Sequence, residues 1–169
     1  RSYDLYAIGV LLLELLSGGL PYEEYRVVDM SIRLKKGRPA IIPAHLVPPP
    51  HTPRRLRTII RKAVAADPRA RFRDAASMGE AIAHVPFIDW SLVVTGDPGQ
   101  MRWEGASARR RDRRFQVEAK KRRDARWVMT ARQYVTRWQR TRPDQIVATP
   151  RGREATDFFD QVLKDSFSR

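Results

Sequence analysis

Residues 4–22 read Asp4-Leu5-Tyr6-Ala7-Ile8-Gly9-Val10-Leu11-Leu12-Leu13-Glu14-Leu15-Leu16-Ser17-Gly18-Gly19-Leu20-Pro21-Tyr22. Leu5, Ile8, Val10 to Leu13, Leu15 and Leu16 make a helix over Asp4 to Leu16 that is apolar on nearly every side, and Ser17-Gly18-Gly19 stops it. A helix of that kind belongs in the middle of a domain. Its apolar run, Ile8 to Leu16, is interrupted by Gly9 and Glu14 and is far shorter than the roughly 20 residues a membrane span needs. Pro21-Tyr22 starts a loop. Val27 to Lys36 is a shorter helical stretch ended by Gly37 and Pro39, and prolines 43, 48, 49, 50 and 53 form an irregular connector. Two more helices follow. Leu56, Ile59, Ile60, Ala63 and Val64 fall at helical spacing up to Asp67-Pro68, and Ala75, Met78, Ala81, Ile82 and Val85 repeat the pattern.

Pro86 ends that helix, and beyond it the period becomes two. Trp90, Leu92 and Val94 form one alternating set, Met101, Trp103 and Gly105 the next, then Phe115, Val117 and Ala119, then Trp127, Met129 and Ala131. Four strands follow, joined by short segments rich in turn and charged residues, so an antiparallel meander with one apolar face is the economical arrangement. Tyr134, Val135 and Trp138 extend the sheet or begin a helix. From about Pro150 the chain reads as a helix whose stripe of Ala155, Phe158, Phe159, Val162 and Leu163 covers the apolar face. The fold class is α+β: a helical part over 1–86, a basic antiparallel β-meander over 87–148 and a C-terminal amphipathic helix over 149–169.

The chain has 169 residues, 33 Lys and Arg against 19 Asp and Glu, a net charge of +14 and no cysteine. That length suits one ordinary domain or two small ones, and the lack of cysteine excludes disulfides, thiolate zinc sites and a Cys nucleophile. His45, His51 and His84 have no ligand-like spacing, so no metal site is expected. A soluble protein of a reducing, cytoplasmic compartment fits this composition. Arg1 stands in mid-pattern, which reads as a fragment or an incomplete gene model.

The stretch Asp4 to Tyr22 resembles the central helix of the C-terminal lobe of Ser/Thr protein kinases, the helix after the activation segment, with its proline-containing exit. Leu56 to Ala65 and Asp67-Pro68-Arg69-Ala70-Arg71-Phe72 resemble the penultimate helix of that lobe and its Asp-Pro-x-x-Arg-Phe turn, in the right order and at the right distance. The resemblance covers residues 1–86, is closest to bacterial eukaryotic-like kinases, and does not extend to 87–169. It implies that Asp4 is the buried aspartate that holds the catalytic loop, and that Arg71 pairs with a glutamate ending the activation segment, before Arg1. From composition alone a helix N-cap is the favoured reading of Asp4, and the family resemblance reverses that order. Glu14 matches a position that in some basophilic kinases contacts a basic residue of the substrate; a helix carboxylate with a structural partner is the favoured reading. The Gly-rich loop, lysine, catalytic Asp, metal-binding Asn and Asp-Phe-Gly that phosphoryl transfer requires do not occur in this sequence. The chain therefore has no catalytic, cofactor-binding or metal-binding residue of its own. ATP and Mg belong to a parent kinase whose N-terminal part and protein substrate are the implied partners. The alternative is a non-catalytic binding module: a pseudokinase scaffold, or a basic domain docking an acidic protein or nucleic acid.

Between Arg102 and Arg142 there are 15 basic and 4 acidic residues. Arg109, Arg110, Arg111, Arg113, Arg114, Lys120, Lys121, Arg122 and Arg123 form a candidate docking surface. Three readings stand: a solvated face with no partner, a surface for an acidic protein, and, ranked below these, nucleic acid held by phosphates and stacked on aromatics. Alternation puts Trp103, Phe115 and Trp127 on the inward face, and no RNA- or DNA-binding signature accompanies the arginines.

Overall fold

The computed structural model describes residues 2–108 and 112–167. Among them are helices α1 (Ser2–Ser17), α2 (Val27–Lys35), α3 (Arg54–Ala63), α4 (Ala75–Ala83) and α5 (Arg153–Phe167). The strands are β1 (Ile88–Val93), β2 (Gln100–Ser107), β3 (Arg114–Lys121), β4 (Trp127–Tyr134), β5 (Trp138–Arg140) and β6 (Gln145–Val147). Helices and an antiparallel sheet make the chain α+β. It divides into two compact units, one comprising the chain up to Pro49 with Arg54–Val85, the other Pro50–Pro53 with the chain from Pro86 onward.

In the first unit α1 lies against α3, and α3 against α4. Leu5, Ile59, Ala63, Met78 and Val85 form the buried core, with Leu12, Leu56, Phe72, Ala81 and Ile82 packed around it. Gly9 permits the approach of α1 to α3: a Cβ there would stand 2.7 Å from Ala63 Cβ and 3.0 Å from Val64 Cγ1. Asp74 caps α4, accepting the Ser77 backbone N–H at 2.8 Å. That bond and the Arg73 guanidinium hold its carboxyl down to about 2. The expected burial of α1 on every side is corrected. Leu13 is fully buried, but Ile8, Leu11 and Leu15 are 41%, 53% and 73% exposed. The helix carries more apolar surface than the first unit covers.

In the second unit the sheet order is β1-β2-β3-β4-β5, all neighbours antiparallel, and β6 pairs with the opening half of β4 while β5 pairs with its end. Alternation sends Trp103, Phe115, Val117, Ala119, Met129 and Ala131 to one face. There they are buried with Val147 and with Ala155, Phe158, Phe159 and Val162 of α5. Phe159 is the hub: Trp90 and Trp103 each meet its ring edge-on at 5.3 Å, and His51 does so at 5.9 Å. Gly105 leaves room for Trp90, since a Cβ there would lie 2.5 Å from Ile88 Cγ2 and 2.7 Å from Trp90 Cε3. Polar contacts secure α5. Arg113 Nη1 donates to the Ser166 carbonyl at 3.0 Å, Arg142 Nη1 stands 3.6 Å from Asp165, and the Ala148 N–H donates to Glu154 at 2.7 Å.

The sheet has two strands beyond the four expected. Tyr134 closes β4, and the chain reverses at Val135–Arg137 so that Tyr134 pairs with Trp138. Strands as short as β5 and β6 show no period to read. Leu92 on the edge strand β1 and Val94 just past its end, both expected on the apolar face, are 52% and 94% exposed.

The His51 ring is largely buried, its Nδ1 has no hydrogen-bond partner among the described residues, and burial lowers its pKa from the ordinary 6.5. The folded unit therefore favours neutral imidazole, and the unfolded chain binds the proton more readily. Stability from this group is present above the unfolded value of 6.5 and is lost as pH falls through the lower folded value. Denaturant unfolding followed by tryptophan fluorescence reports this unit, because Trp90, Trp103, Trp127 and Trp138 all lie in it. The midpoint is expected to fall between about pH 7.5 and about pH 5.5, and His51→Phe to flatten that fall. An unchanged pH dependence in the variant contradicts the assignment.

Candidate functional site

The turn after α3 is built around a buried cation. Arg71 is 7% exposed; its Nε donates to the Ala65 carbonyl at 2.8 Å and its Nη2 to the Ala66 carbonyl at 3.2 Å. Its guanidinium lies 5.0 Å from the centre of the Tyr6 ring. Carbonyls left over past the end of α3 and the face of an aromatic ring thus offset the cost of burying the charge. The Tyr6 hydroxyl accepts the Ile41 N–H at 3.3 Å, so α1, the post-α3 turn and the segment after α2 are tied together through one tyrosine. The local sequence enforces the turn: Asp67 accepts the Arg69 N–H at 2.9 Å, and Pro68 opens a single 3-10 turn, Pro68–Ala70. Tyr6 was not among the residues the sequence singles out. Its signal was a hydroxyl-bearing aromatic inside an otherwise aliphatic helix.

Asp4 sits exposed in the first turn of α1, where a carboxylate is favoured by the helix dipole. With Leu5, Ile8, Arg73, Asp74 and Ala75 it lines an open groove of about 420 Å³. Glu14 is half-buried near the other end of the helix and accepts the Tyr22 hydroxyl at 2.6 Å, which raises the tyrosine pKa. Asp4 and Arg71 are therefore close to one end of α1, and Glu14 stands nearly three turns away. Among the described residues no cluster of His, Cys, Asp and Glu could hold a metal ion.

The described residues of the basic run are spread over both faces of the sheet and its β3–β4 turn. Arg113 is spent on the C-terminal end of α5. Arg114 and Lys120 stand on the sheet face opposite α5, whereas Lys121 alternates to the other side. Glu118, 7% exposed on that opposite face, takes Gln100, Arg102 at 3.3 Å and Lys120 at 3.5 Å. Arg122 and Arg126 both pair with Asp124 in the β3–β4 turn, at 3.5 and 3.1 Å, and Arg123 is exposed beside them. Arg109, Arg110 and Arg111 lie outside the described residues. Trp103 and Phe115 are in the core and Trp127 packs against it, so none of the three offers a free face.

Comparison with known proteins locates a relationship in about half of the chain. Over 78 residues, 46% of this chain, it is 34% identical to a segment that makes up 8% of Serine/threonine-protein kinase PknD of Chlamydia caviae. Over 87 residues, 51% of this chain, it is 31% identical to 13% of the Probable serine/threonine-protein kinase PknB of Lactococcus lactis. Over 82 residues, 48% of the chain, it is 32% identical to 8% of the PknD of Chlamydia felis. About half of the chain is thus similar to a small part of bacterial Ser/Thr protein kinases, and it spans only 8–13% of those curated relatives. No family model matches the chain. No solved structure matches it either.

Arg71→Ala leaves the Ala65 and Ala66 carbonyls and the Tyr6 ring without their shared partner, at an expected cost of about 1–3 kcal/mol to the first unit. Lysine cannot reproduce the forked bonds, so Arg71→Lys recovers little of the loss. Hydrogen exchange of α1 and α3 amides measures both variants; wild-type protection in Arg71→Ala contradicts the role given to the guanidinium.

Proposed function

We propose that the first unit is the rear part of the C-terminal lobe of a bacterial Ser/Thr protein kinase, and that the chain belongs to a longer protein that carries out ATP-dependent phosphorylation of protein Ser or Thr. The observation that carries this reading is the half-chain similarity to three bacterial Ser/Thr kinases. The open apolar side of α1, with Ile8, Leu11 and Leu15, supports it, because a lobe helix of this kind needs further polypeptide to cover it.

In this reading the unit contributes architecture and not chemistry. Arg71 and Tyr6 fix the turn after α3 against α1, and Asp4 presents a carboxylate at the open end of α1 to backbone supplied by the rest of the lobe. Glu14, already bonded to Tyr22, is the carboxylate that a basic substrate side chain would share. ATP and Mg are held by residues outside this chain, since nucleotide cradling and metal binding need motifs its sequence lacks. No helix among the described residues is long and apolar enough to cross a membrane.

Calorimetry of this chain alone with Mg–ATP is expected to give no saturable heat at micromolar concentrations. The same chain joined to the preceding part of its reading frame is expected to transfer the γ-phosphate of ATP to serine or threonine of a protein substrate. Saturable binding to the chain alone would place a nucleotide site in it and overturn the reading. A longer protein that folds and transfers nothing would make the parent a scaffold.

A further inference from the structure

The sheet face opposite α5 holds an arrangement that stability alone does not account for. Arg132 on β4 stands directly across from Arg140 on β5 and, on its other side, from Gln116 on β3. The next row carries Arg114, Tyr134 and Trp138. Like charges directly opposite one another destabilise a strand pair. Arg132 finds only the Gln116 amide oxygen, at 3.4 Å, and among the described residues no carboxylate pairs with it or with Arg114. Arg140 shares Asp144 at 3.5 Å with the Thr130 hydroxyl, which donates to the same carboxylate at 2.9 Å. Glu104, the acid of that row, lies beyond Gln116 on β2.

Beside these cations are two exposed aromatic rings. Tyr134 and Trp138 meet edge-on at 5.5 Å and are 39% and 42% exposed. Strands about 4.8 Å apart put the positions of Arg114, Arg132 and Arg140 within roughly 10 Å of sheet width. Guanidinium groups grip phosphate oxygens through paired N–H bonds, and an exposed indole stacks on any base. An acidic peptide would answer the arginines but leaves the two rings without a purpose.

We propose that this corner of the sheet binds single-stranded nucleic acid, with phosphates on Arg114, Arg132 and Arg140 and a base stacked on Trp138. The site is separate from the arginine run of the β3–β4 turn, and it does not depend on the kinase reading.

The test is fluorescence anisotropy of the complete 169-residue chain with a dye-labelled oligo-dT of about 12 nucleotides. With three phosphate contacts at about −0.7 each in the log–log salt slope, affinity is expected to drop roughly 20-fold between about 50 and about 200 mM salt. Arg132→Gln is expected to reduce the slope by about 0.7. Trp138→Ala is expected to weaken binding about tenfold at an unchanged slope, and Trp138→Phe, which keeps a ring and the strand, to retain most of the affinity. The paired change Arg122→Gln with Arg123→Gln is expected to leave the Trp138 effect intact. The proposal is overturned by absence of binding at low salt. It is equally overturned if Arg132→Gln and Trp138→Ala, both folded by circular dichroism, bind as wild type, or if poly-glutamate competes as well as unlabelled oligo-dT.

Discussion

The first unit depends on the bare backbone of Gly9 resting against Ala63 and Val64. With 2.7 Å between its absent Cβ and that of Ala63, a side chain there would push α1 off α3 and open the space now filled by Leu5, Ile59 and Met78. Close contact also sets the height of Tyr6 above the turn after α3, and so allows one ring to receive Arg71 while its hydroxyl reaches Ile41. The same contact decides which side of α1 is used. The side of Gly9 and Leu13 is consumed inside the unit, and the side of Ile8, Leu11 and Leu15 stays exposed.

The second unit separates its tasks by strand alternation. One face collects aromatic and aliphatic side chains under α5, with Phe159 receiving Trp90, Trp103 and His51. The other face collects charge, but not evenly. Around the buried Glu118 the cations are neutralised by their neighbours, whereas at the β4–β5 end Arg132 and Arg114 have no carboxylate partner among the described residues and lie next to exposed rings. Since Arg113 is bound to α5 and Arg122 and Arg126 to Asp124, high positive charge along a sequence does not by itself mark a binding surface.

Much of this was legible because it is periodic. Ala155, Phe158, Phe159 and Val162 form a stripe that only a helix makes, and Trp103, Phe115 and Met129 alternate as half-buried strands do; each ends up in the core. What escaped has no period. The strands β5 and β6 have three residues each, too few to show alternation, so the pairing of Tyr134 with Trp138 and of Arg132 with Arg140 could not be read. The place of Tyr6 depends on a contact across 65 residues of chain, to Arg71, which local pattern does not encode. The uniform apolarity of α1 predicts burial everywhere, because hydropathy registers what a surface needs and not what is present to cover it.

The central claim is that α1 has one packed side and one open side, and substitution of its leucines tests it most directly. Leu11→Glu and Leu15→Glu place charge at positions 53% and 73% exposed and are expected to leave hydrogen exchange of α3 unchanged, while lowering the binding of a hydrophobic dye. Leu13→Glu buries a carboxylate at a position with no exposure and is expected to release α1 and α3 together. If Leu11→Glu or Leu15→Glu loosens α3 as far as Leu13→Glu does, the outer side of α1 is already packed within this chain, and a one-sided α1 is contradicted.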